Sequence, residues 1–134
     1  MIDEIPKVQG IVDSIGIKDL KIVRHSKDWR NILNRSFCVI DLSLVRCQGR
    51  WSMHSAISGT PVISSAGIES QRLLFPDLTV DWADAMGAIS KFDMLKSGKL
   101  NRKDISIKSI DGIKKYYSKE VITSRVKSKM SELF

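Results

Sequence analysis

Apolar residues in this chain gather in short runs separated by stretches of helical spacing. Leu20 to Val23, Phe37 to Leu42 and Pro61 to Ser64 are compact, rich in β-branched residues and predict three strands. The Phe37–Leu42 run is continuous rather than alternating, as in a strand covered on both faces. Between the runs, Ser26 and Asp28 open a predicted helix to about Asn34, Ser26 as its cap. After a polar loop from Ser43 to Gly49, Arg50 to Ser58 reads as a helix stopped by Gly59 and Pro61.

Residues 65–70 then read as a loop, and Arg72 to Phe75 as a short extended run ended by Pro76. Asp81 to Phe92 predicts a helix with Trp82, Ala85, Met86 and Ile89 on its apolar positions. Ser97-Gly98-Lys99 is linker-like. Two further helices follow, Ile105 to Tyr117 and, from a Ser118 cap, a segment with Ile122, Val126, Met130 and Leu133 at helical spacing.

This alternation predicts an α/β fold: a Rossmann-like parallel sheet with helices on both faces, closed by C-terminal helices. Residues 1–95 form the expected core and 96–134 a helical extension packed on it. The segment from Ile5 to Ile15 looks helical but has no strand before it. The expectation is a truncated domain, or a partner that supplies the missing strand.

With 134 residues, 43% hydrophobic and 28% charged, the chain can bury one core and is not disordered as a whole. No apolar run is long enough to span a bilayer, and the acidic start shows no signal peptide. Cys38 and Cys47 are expected to be reduced thiols in a cytoplasmic protein, Cys38 as a small core residue. The net charge of +7 is confined to one end. Residues 1–95 carry eleven Lys/Arg and eleven Asp/Glu, residues 96–134 eleven against four.

The segment from Arg46 to Ser64 carries the chemistry. A strand ends, a loop with Gly49 follows, and a helix starts with its N-terminal amides open to an anion. In open α/β sheets ligands lie beyond the carboxyl ends of the strands, where the loops after Leu42 and Ser64 are found. Arg46 and Arg50 flank the glycine, and guanidinium suits phosphate. A phosphate-bearing ligand follows from these features.

Ala56-Ile57-Ser58-Gly59-Thr60-Pro61-Val62-Ile63 resembles the helix end and following strand of the donor-binding, C-terminal domain of GT-B glycosyltransferases, especially the retaining type. Leu73-Leu74-Phe75-Pro76 with Asp81-Trp82-Ala83-Asp84-Ala85 resembles that family's next strand–helix step, and Tyr116 through Phe134 its closing helices. Arg46 and His54 stand where the family has its two glutamates, which contact the donor sugar and the ribose. Cys47 replaces the first loop glycine. The resemblance implies a nucleotide-diphosphate sugar bound by Arg46, Gln48, Gly49, Arg50, Trp51, His54, Ser64, Ser65 and Glu69, with Glu69 taking a lost carboxylate's place. It implies no metal. It also implies a missing N-terminal acceptor domain or partner subunit, without which the chain turns over little.

Ordinary readings stand beside these. Arg46 and Arg50 are equally loop charges, His54 a half-buried helix residue, and Ser64 and Ser65 loop caps. Trp29, Trp82, Ile122 and Val126 are most simply core. The basic tail reads first as a solvated face, second as a contact with an anionic membrane surface through residues 114–129, and third as a nucleic-acid contact. No nucleic-acid motif accompanies the third. The alternative to a transferase half is a non-catalytic module that docks through this tail on membrane, nucleic acid or a partner protein.

Overall fold

The computed structural model describes residues 28–42 and 46–133. The expected helix from Ile5 to Ile15, the strand from Leu20 to Val23 and the Ser26 cap lie outside them. The chain runs α1 (Trp29–Arg35), β1 (Val39–Asp41), α2 (Arg50–Ser58), β2 (Val62–Ser65) and α3 (Glu69–Leu74). A 3₁₀ turn (Pro76–Leu78), β3 (Thr79–Val80), α4 (Ala85–Lys96), α5 (Arg102–Tyr117) and α6 (Lys119–Leu133) complete it. The architecture is mixed α/β, mostly helical, around a small parallel sheet in the order β1-β2-β3. Val39 stands opposite Val62, and Ser64 opposite Thr79.

Every residue of the central strand β2 is buried. Successive strand side chains point to opposite faces, so both faces of β2 are covered. Helices α2 and α3 pack on each other and on α5, and α4 lies against β2. The core joins Ala56, Val62, Ile63, Leu74, Phe75, Leu78, Ala88 and Leu95, and takes in Ile105 from α5. The basic C-terminal region therefore supplies part of the core. Residues 97–99, expected as a linker, make the tight turn between α4 and α5, with the Gly98 N–H donating to the Leu95 carbonyl at 3.2 Å.

Three expectations change. Arg72 to Phe75 is not extended, since α3 occupies Glu69–Leu74. Leu73-Leu74-Phe75 is a short apolar run whose periodicity does not separate strand from helix. Burial at Ser70, Gln71 and Leu74 is helical spacing, and the strand follows after the 3₁₀ turn as the two-residue β3. The helix expected from Asp81 starts at Ala85 instead. Ala83 takes a left-handed φ of 53°, and the Asp84 carboxylate caps the helix by accepting from the Gly87 N–H at 2.7 Å. Trp82, Ile122 and Val126, expected in the core, are exposed.

One polar residue sits at the centre of this packing. Gln71 is fully buried, its Nε2 donating to the Val62 carbonyl at 2.8 Å and its Oε1 accepting from the Ser52 hydroxyl at 2.8 Å. The preceding carbonyl, that of Pro61, accepts from the Val39 N–H on the β1 side. Carbonyls alternate sides along a strand, so Val62 offers its oxygen toward β3, which pairs with β2 only from Ser64 onward. The side chain of Gln71 stands in for the missing strand. Replacing it by leucine keeps the volume but leaves buried partners unpaired, each costing about 1–3 kcal/mol. Gln71→Leu is expected to lower unfolding free energy by about 2–4 kcal/mol in urea titration, at unchanged m-value.

Candidate functional site

The two loops at the carboxyl ends of β1 and β2 are bound to each other. Cys47 bridges Ile68 in parallel fashion. The Cys47 and Gln48 carbonyls accept from the Glu69 and Ser70 N–H groups, each at 3.2 Å. The Gly49 carbonyl accepts from the Ser70 hydroxyl at 2.9 Å and from the Met53 N–H at 3.1 Å. Gly49 is buried with φ of 80°, and a Cβ there would collide with Ile68 and the Ser70 hydroxyl. Its lack of a side chain thus serves the approach of α3. Gly49 is also the N-terminal cap residue of α2 and supplies no side chain to that end.

Just beyond Gly49, the first turns of α2 meet the start of α1 around an open cleft of 320 Å³ lined by Trp29, Arg50, Trp51 and His54. The His54 ring stands edge-on to Trp29 with centroids 4.3 Å apart, and Trp51 lies 6.4 Å from Trp29, nearly perpendicular. Trp51 keeps 48% of its surface exposed despite its size. The Arg30 guanidinium sits 5.2 Å from the Trp29 ring centre, a cation–π distance. Burial first, and then the charges of Arg50 and Arg30, hold the His54 imidazole below its ordinary range. His54 is therefore neutral at pH 7, with a ring nitrogen able to accept a hydrogen bond.

The candidates thus separate. Arg50, Trp51 and His54 share the cleft. Arg46 and Gln48 are exposed on the loop before α2, and Glu69 is exposed at the start of α3. Gly49 is enclosed, and Ser64 and Ser65 are fully buried, with the Ser64 hydroxyl donating to the Asp41 carbonyl at 2.5 Å. Sequence reasoning missed Trp29 and Arg30, taking the tryptophan as core. The available signal was an aromatic beside an arginine in the first turn of a short helix.

The end of α5 reaches the same side of the molecule. The Tyr117 hydroxyl is raised by burial and by the nearby Glu69 carboxylate, against an opposing pull from Arg125. Cys38 is half-buried and packs against the core, and burial pushes its thiol up while Arg102 draws it partly back. Cys47 is exposed. Comparison of the chain with protein-family models, with curated proteins and with solved structures finds no match.

Two measurements check this geometry. Gly49→Ala forces a Cβ into occupied space at a left-handed φ, and is expected to cost more than about 1 kcal/mol in chemical denaturation. The His54 ring proton, assigned by its loss in His54→Gln, should titrate in NMR below the ordinary value of about 6.5. Because the folded pKa is depressed, protonation favours the unfolded chain. The His54 contribution to stability is complete above about pH 6.5 and falls as pH drops through the folded pKa.

Proposed function

We propose that this chain is the donor-side half of a GT-B-like glycosyltransferase and binds a nucleotide-diphosphate sugar in the cleft of Trp29, Arg50, Trp51 and His54. The sheet is then a Rossmann-like one with helices on both faces. The observation that carries the proposal is the cleft itself: an exposed tryptophan and an arginine in the first turn of the nine-residue helix that comes next in the chain after the loop following parallel strand β1. Ligand sites of open parallel sheets lie at this end of the strands.

In this reading the ligand's ring stacks on Trp51, and its diphosphate meets Arg50 and the α2 N-terminal amides. The neutral His54 accepts from a ribose or sugar hydroxyl where the family has a carboxylate. Arg46 adds a second cation from the loop. The diphosphate rests against the turn after Gly49, since α3 already occupies the glycine's open side. Binding by arginine and amides calls for no metal. Transfer requires the acceptor half, because both substrates must be held in line and shielded from water.

The test is a thermal-shift series with UDP-, GDP- and ADP-sugars and the free diphosphates. A ligand at a hundred times its Kd contributes about 2.7 kcal/mol, which raises Tm by roughly 8 °C in a domain this size. Trp51→Ala and Arg50→Gln, both at exposed positions, should each weaken binding about tenfold or more while leaving the unliganded Tm within about 2 °C. Failure of every nucleotide at millimolar concentration to move Tm ends the reading. Sugar transfer by the isolated chain at ordinary enzyme rates would instead overturn the need for a second half.

A further inference from the structure

Helix α6 leaves the body of the protein. Val121 in its first turn is half-buried, and every residue from Ile122 to Glu132 is exposed. The Ser118 hydroxyl accepts from the Val121 N–H at 3.3 Å and fixes the start of the helix. Among the described residues the element it packs against to any extent is α5. A solvated helix needs no aliphatic face, yet Ile122, Val126 and Met130 are 47%, 52% and 54% exposed. They recur every four residues and so form one stripe along the helix. Ser124, Ser128 and Ser131 occupy the opposite side.

Cations border the stripe. Lys119 lies at its N-terminal end, with Lys127 on one flank and Lys129 and Arg125 on the other. Lys114 and Lys115 extend the positive surface to the end of α5, and Asp111, Glu120 and Glu132 are acidic residues that accompany these six. Two lysines have exposed acidic partners, Lys114 with Asp111 at 3.5 Å and Lys129 with Glu132 at 2.7 Å. Such pairs are weak enough to exchange for other anions.

We propose that α6 is a membrane-docking helix that lies flat on an anionic lipid surface, its aliphatic stripe in the acyl boundary and its lysines among the headgroups. The inference rests on this helix alone and is independent of the nucleotide-sugar reading. Charge complementarity and the position of the stripe select the partner. A helix in the interface sinks an apolar face by about 5–10 Å while flanking cations reach anionic phosphates, the arrangement found on α6. Nucleic acid would engage the cations but offers nothing to three aliphatic side chains. No aromatic residue on α6 could stack with bases. Among the described residues no helix is long and apolar enough to cross a membrane, so docking here is peripheral.

The full chain should be tested by co-sedimentation with vesicles of phosphatidylcholine, with and without about 30% phosphatidylserine. Binding is expected on the anionic vesicles, at least about tenfold weaker on the neutral ones, and reversed by about 0.5 M salt. The triple change Ile122→Ser, Val126→Ser and Met130→Ser should reduce binding about tenfold or more, as should Lys127→Gln with Lys129→Gln. Ser124→Ala with Ser128→Ala, on the opposite side, should leave it unchanged. Circular dichroism tells loss of the stripe from loss of the helix, and Ile122→Leu with Val126→Leu, which keep both, should retain binding. No binding to anionic vesicles, full binding by the triple serine variant, or tighter salt-sensitive binding to nucleic acid than to vesicles would each overturn the proposal.

Discussion

A single buried amide holds the layers of this protein in register. Gln71 reaches from α3 to a strand carbonyl that has no neighbouring strand at that point, and it accepts from Ser52 on α2. A three-stranded sheet with a two-residue edge cannot satisfy its own backbone through strand pairing alone. The small size of β3 is tolerable because a helix side chain completes the ladder. The same bond sets how α2 and α3 lie on the sheet, and hence where α2 begins.

That starting point makes the cleft. Gly49 turns the chain through a left-handed conformation against Ile68 and Ser70, and the helix that follows must emerge beside α1. Arg50 and Trp51 then have one side to face, and Trp29 and His54 meet them there. The glycine is thus a structural necessity whose effect on chemistry is indirect. It aims the first turn of α2 outward, and whatever the cleft holds is met by side chains and helix amides rather than by glycine backbone.

Much of this was legible in the residues. The helix Arg50–Ser58 is bounded as its capping glycines and Pro61 dictate, and β2 follows at once. Ser118 caps the last helix, as its place before an amphipathic run suggests. The α3 segment was not legible, because Leu73-Leu74-Phe75 has the composition of a strand and only the tertiary demand for Gln71 at the core shows it to be helical. Nor was the α4 boundary, which depends on a left-handed alanine no propensity favours. At the site, helical spacing alone places Arg50, Trp51 and His54 on adjacent turns, and the structure gathers them at one cleft. The partner helix was missed, for local sequence does not say that Trp29 will be brought across from α1. Burial of Ser64 and Ser65 follows from a strand covered on both faces, a property of the assembled layers.

The guanidinium of Arg102 donates to the Phe37 carbonyl at 2.9 Å and lies 5.5 Å from the Phe37 ring centre, while that ring meets Phe92 edge-on at 6.0 Å. A residue in the first turn of α5 thus grips the chain where it enters β1, and Ile105 enters the core three residues later. A chain cut before α5 would lack both this clasp and Ile105, and would leave Leu74 without the helix that covers it at Gly112.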